Sequence, residues 1–169
     1  MGLKEDLDHL REKQSALQRE IAEINEGVAE IIQPEFRRGE ALARIAESLQ
    51  EYNIFNEMGM DKNCFKKETT MDSRKLVLGI LRKVTGDVLD TSLSIDGQVW
   101  SSYNPSDMDL LKWLATHVRS VQRFIKHTFD ELEAQIKEEI ERENKSVDEA
   151  RSYMEPEIVM QKIREGLSE

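Results

Sequence analysis

The sequence predicts a mainly α-helical protein with a long N-terminal coiled-coil helix, a small helical head bearing one β-hairpin at about residues 91–103, and a second long helix starting at about residue 106. Three observations lead there. Charged residues make up 34% of the chain and aromatics only 6%, a balance that suits long solvated helices better than a sheet protein. The first 33 residues hold a 3.5-residue apolar period. One stretch, "TSLSIDGQVWSSY", carries an Asp-Gly pair between β-prone residues, which is the strongest short-range hairpin signal.

The N-terminal element carries the most regular apolar spacing in the chain. Alternating steps of four and three pass through Leu3, Leu7, Leu10, Gln14, Leu17, Ile21, Ile24, Val28 and Ile31 without a break. Leu7, Gln14, Ile21 and Val28 take the a positions of a heptad, and Leu3, Leu10, Leu17, Ile24 and Ile31 take d. Branched residues at a with leucine at d favour two parallel strands, while isoleucine at d in the second half pulls towards higher order. Gln14 is the one polar a residue and acts as a register pin, because two facing amides satisfy each other in one alignment only. Across the flanks only Asp6 with Arg11 is attractive in a parallel pair, so charge barely selects the partner. The competing arrangement folds this helix back antiparallel on residues 118–143 of the same chain. That segment has an 11-residue rhythm, and two helices sharing a supercoil share a period, so the expected partner is a second copy.

Pro34 is read as the end of this helix, giving a coiled-coil unit of residues 1–33, a head of residues 34–125 and an acidic helical stalk with a tail at residues 126–169. Within the head, helical periodicity resumes with Leu42, Ile45, Ala46, Leu49 and Tyr52. From residue 53 to 70 it disappears, which reads as a loop. "SRKLVLGILRKVT" reads as a helix capped by Asp72 or Ser73 and closed by Gly86; Gly79 in its middle leaves a buried strand as the alternative. The Asp96-Gly97 turn then sets Ile95 opposite Gln98 and Leu93 opposite Trp100. An isolated hairpin is marginal in water, so Trp100 is expected to lie packed in the head.

The last long helix opens after Pro105, with Ser106 as N-cap and Asp107 and Asp109 near its positive end. Its apolar stripe runs through Leu111, Leu114, Val118, Val121, Ile125, Phe129, Leu132, Ile136 and Ile140 and narrows beyond Phe129. A helix that leaves a body as a stalk has that pattern. Val147, Tyr153, Met154, Ile158, Val159 and Ile163 follow in a terminal docking helix or tail.

Charge and motifs bound the function. The net charge is −10, which argues against broad nucleic-acid or anionic-membrane binding. Residues 1–33 carry 4 Lys or Arg against 8 Asp or Glu, and residues 106–169 carry 10 against 15, so the acid sits at the two ends. Cys64 is the only cysteine, which excludes an intrachain disulfide and fits a reducing, cytoplasmic setting. Its neighbours Lys62, Lys66 and Lys67 favour a thiolate, but no base accompanies it. No secretory signal or membrane span is read. The glycines form neither a phosphate loop nor a dinucleotide fingerprint, and His9, His117 and His127 lack metal-site spacing; His127 with Glu131 reads as a simple side-chain contact. No acid and base pair, cofactor or metal is expected.

One strip stands out: Lys112, Arg119, Arg123 and Lys126 fall within about 60° on the last long helix, with no acid between residues 110 and 129. It suits phosphate or an acidic partner, or merely covers the edge of a buried face. The function expected from all of this is a non-enzymatic homodimer that works through protein contacts, as adaptor, spacer, assembly factor or inhibitor. The alternative is an acidic mimic of nucleic acid that inhibits a DNA- or RNA-handling enzyme through the nine acids among residues 130–149, and the third reading is phosphate or nucleic-acid binding through the basic strip.

Overall fold

A computed structural model describes residues 2–49, 64–82, 89–100 and 108–168, with the side chains of residues 64, 82 and 168 outside that description. Among the described residues, four helices and a four-stranded antiparallel sheet are formed: α1 (Leu3–Ser48), β1 (Cys64–Met71), β2 (Arg74–Arg82), β3 (Leu89–Ile95), β4 (Gln98–Val99), α2 (Met108–Thr116), α3 (Val118–Met154) and α4 (Pro156–Ser168).

The expected layout therefore needs correction at four places. Helix α1 does not stop at Pro34 but runs through it to Ser48. An interior proline removes one backbone hydrogen bond and costs about 3 kcal/mol; burial of Ile32, Phe36, Ala43 and Ala46 on either side of it offsets that cost. Residues 64–71, read as loop, form β1. The segment read as a capped helix from residue 73 is β2, a central strand. Asp72 and Ser73, taken for an N-cap, instead hold positive φ of 46° and 65° in the turn joining β1 to β2. Short polar side chains serve both purposes, and a six-residue apolar run has no period that separates buried strand from helix. Finally, the second long helix starts at Val118, not at about 106, because the last turn of α2 is interrupted: Thr116 Oγ1 donates to the Lys112 carbonyl and His117 Nδ1 lies 2.8 Å from the Trp113 carbonyl. Side chains competing for those carbonyls loosen the turn. Backbone hydrogen bonds from His117 N–H to Trp113 O and from Val121 N–H to His117 O still carry the chain from α2 into α3. The expectations for Pro105, Ser106, Gly86 and residues 53–63 lie outside the described residues.

The sheet is a meander in the order β1-β2-β3-β4. Asp96 and Gly97, at φ 51° and 83°, make the turn between β3 and β4, with Ile95 facing Gln98. This hairpin forms one edge of a larger sheet, and its Trp100 is buried. Alternation directs Phe65, Leu76, Leu78, Ile80, Leu89, Leu93 and Ile95 to one face, where all are buried, and leaves Lys66, Glu68, Thr70, Lys75 and Asp90 on the other. The inner face lies on α1 and α3, with the Phe65 and Phe129 rings tilted against each other at 6.3 Å between centroids.

Helices α1 and α3 run in the same direction. Ile24 lies beside α2, where that helical run begins, and Gly39 meets Phe129 further along both. Arg38 reaches Asp130 at 2.6 Å and Glu133 at 2.9 Å. Burial by itself would lower the Arg38 pKa, but hydrogen bonds and charge from these two carboxylates outweigh it and hold the guanidinium above its ordinary value. Both ends of the pair overhang: residues 3–23 of α1 extend past the start of α2, and the end of α3 with α4 extends past Ser48.

Candidate interaction surface

The nine seam residues divide between two environments. Leu3, Leu7, Leu10, Gln14 and Leu17 stand exposed on the overhang, with Leu3 88% accessible. Ile21 and Ile31 are half-buried, Ile24 is 46% accessible, and Val28 is buried in the chain's own core. The heptad spacing predicts a seam that faces one partner over its whole length. Its last third faces the body instead.

Direction around the helix explains why. At 100° per residue, the stripe that α1 buries (Asn25, Val28, Ile32, Phe36, Gly39, Ala43 and Ala46) and the stripe from Leu3 to Ile24 point within about 30° of each other. The two are one continuous apolar stripe. Where the body exists it packs against β3 and α3; beyond the body, none of the described residues covers it. Among the described residues, α1 and α3 do pair inside one chain, as the competing arrangement required, but in parallel and through residues 25–46.

At the point where the stripe leaves the body lies a groove of about 520 Å³. Ile24 forms one wall, Met108, Leu111 and Ala115 the other, and Asp109, Lys112 and Thr116 the rim. Met108 is 50% accessible, so apolar surface continues from Leu17 through Ile24 into this groove.

The basic strip is present as a row. Lys112, Arg119, Arg123 and Lys126 are all exposed, and none of the four has a carboxylate within ion-pairing distance among the described residues. Arg119 donates to Gln122, and Arg123 donates to Ser120 and to the Arg119 carbonyl. Because the side chains are exposed, changing all four to Glu is expected to leave the melting temperature close to the parent's. A fluorescent single-stranded probe is expected not to bind the parent at low salt, since Asp130 and Glu133 follow directly on the same helix face. Salt-sensitive binding lost in the fourfold variant would move phosphate recognition ahead of protein contact.

Part of the acidic array is engaged. Asp130 and Glu133 hold Arg38, Glu131 lies 3.0 Å from His127 and 3.9 Å from Lys67, and buried Glu139 accepts from Arg142 at 2.8 Å. Carboxylates fixed in such pairs do not present an evenly spaced row of free charge. His117 Nε2 lies 3.0 Å from Asp72, and its ring stacks on Trp113 at 4.5 Å, which ties the β1–β2 turn to the α2–α3 junction. Among the described residues no group of three or more His, Cys, Asp or Glu is arranged to hold a metal, and no helix is long and apolar enough to cross a membrane. The Cys64 side chain lies outside the described residues.

Comparison with known protein families, curated proteins and solved structures gives no match.

Proposed function

We propose that this chain is a non-enzymatic interaction protein that self-associates through the α1 overhang, residues 3–24, and works as an adaptor or spacer in a reducing, cytoplasmic setting. The observation that carries this reading is the unbroken stripe of α1. The face that closes the core at Val28, Ile32 and Phe36 continues outward as Leu3, Leu7, Leu10, Leu17 and Ile24, with four of those five about half accessible and Leu3 almost fully so. A row of leucines at seam spacing on a free helix wants a second helix.

Sedimentation equilibrium tests it. The parent is expected to be a dimer at tens of micromolar, and the double variant Leu10→Asp, Leu17→Asp a monomer, because each Asp would place an unpaired charge in the seam. A weakening of about a hundredfold or more is expected. Both positions lie off the body, so the sheet and core should melt as in the parent. A monomeric parent would overturn the proposal.

A further inference from the structure

We infer that two copies pair antiparallel, with the tip of each overhang lying in the partner's groove between Ile24 and Met108, Leu111 and Ala115. The inference rests on the self-association proposed above and specifies its geometry, which the heptad letters alone assign as parallel.

The body decides the direction. It lies on the same side of α1 as the seam, within about 30°. In a parallel pair the partner's α1, continuing beyond Ile24, would run into the space already filled by the α3 and β3 that cover Val28, Ile32 and Phe36. The two chains would have to splay at Ile24, leaving only the overhangs paired. In an antiparallel pair the two bodies lie at opposite ends, only the tip from Leu3 to Leu7 comes level with the other chain's body, at the groove beside Ile24, and about 30 Å of helix is covered.

Charge then selects one register. Antiparallel coils place g against g′ and e against e′. With Leu3 level with the partner's Val28, the seam layers are Leu7 with Ile24, Leu10 with Ile21 and Gln14 with Leu17, each made twice by symmetry. Lys13 then faces Glu20 twice, and Lys4, Asp6, Arg11 and Gln18 meet no like charge. Sliding one heptad towards shorter overlap sets Lys13 against Lys13, Arg11 against Arg11 and Asp6 against Glu20. Sliding the other way sets Glu20 against Glu20. Like charges in contact are unfavourable in either slip. In the favoured register the Gln14 side chains flank the two-fold axis about 4.5 Å apart in height, close enough for their amides to reach each other. Leu3 and Leu7 arrive level with the partner's residues 24–28, where the 520 Å³ groove opens.

Distances between spin labels decide it. In a chain with Cys64→Ser, single cysteines are placed at Glu5, Glu12 and Arg19, three equivalent outward positions one heptad apart. The antiparallel register sets the paired labels about 30 Å apart in height at residue 5 and about 10 Å at residues 12 and 19. A parallel coil gives one short distance at all three, which would overturn the inference while leaving self-association intact. A monomer by sedimentation would remove both. For the groove, Leu3→Cys with Met108→Cys in the same background is expected to give a disulfide-linked dimer. Within one chain the two sites lie more than 20 Å apart along α1, far beyond the ~7 Å that a disulfide spans between Cα atoms. If the linked dimer does not form while the label pattern stays antiparallel, the tip does not occupy the groove and that part of the inference is wrong.

Discussion

Phe129→Ala is expected to cost about 3–5 kcal/mol, a large share of the 5–15 kcal/mol that a domain has in total. Phe129 is fully buried, meets Phe65 from β1 at a tilt, and lies directly on Gly39 of α1, so one ring joins the sheet to both long helices. Its removal leaves a cavity at the meeting point of three elements that cannot all close in on it. The urea midpoint should fall steeply with the m-value nearly unchanged. Gly39→Ala tests the same contact from the other side. By helix propensity alone it would gain about 1 kcal/mol. A methyl at this position, however, would overlap the Phe129 ring, with Cε2 at 2.6 Å and Cε1 at 2.8 Å. Overpacking of this kind costs about 1–3 kcal/mol, so the net effect in the parent is expected to be destabilising. In the Phe129→Ala background the sign should reverse, because the methyl then enters the cavity. Stabilisation by Gly39→Ala in the parent would refute the close approach of α1 and α3.

Trp100→Ala is the second large loss expected, again about 3–5 kcal/mol. Trp100 is 8% accessible, meets Phe36 edge-on at 6.1 Å, and donates from Nε1 to Asn25 Oδ1 at 2.9 Å. Asn25 is itself 2% accessible, so losing this donor deprives a buried acceptor of a partner. Trp100→Phe separates the two contributions: it keeps most of the packing and removes the hydrogen bond, at an expected cost of about 1–3 kcal/mol. Equal losses in the two variants would mean that the hydrogen bond, not the ring, fixes Trp100. Thermal melts followed by near-ultraviolet dichroism would read both.

Those two contacts also mark what the sequence could and could not reveal. The Asp96-Gly97 turn was legible because an Asp-Gly pair between β-prone residues has few other uses, and the apolar stripe from Leu111 to Ile136 was legible because it follows the helical period. β2 was not, since Leu76 to Leu81 is apolar at every position but Gly79. Such a run belongs to a central strand covered by neighbours on both sides, and it shows no alternation. β1 was missed for the opposite reason. As an edge strand, its "KKETT" has a largely solvated surface and reads as loop. The parallel relation of α1 and α3 was hidden because it depends on the antiparallel strands that carry the chain back between them. Heptad letters mark an apolar stripe along α1, but they carry no information on which of its turns the chain itself would cover.

The continuity of α1 has a mechanical consequence. A pull applied at residue 3 passes along an unbroken helix into the core and reaches α3 as shear, because parallel neighbours loaded along their axes slide past each other instead of peeling apart. The Phe129 ring seated over Gly39 is a tooth in a notch against that sliding, and the Arg38 fork on Asp130 and Glu133 is a strut one residue away. The proposed dimer, joined by its overhangs, would then be a tie rod whose joints resist tension at Gly39.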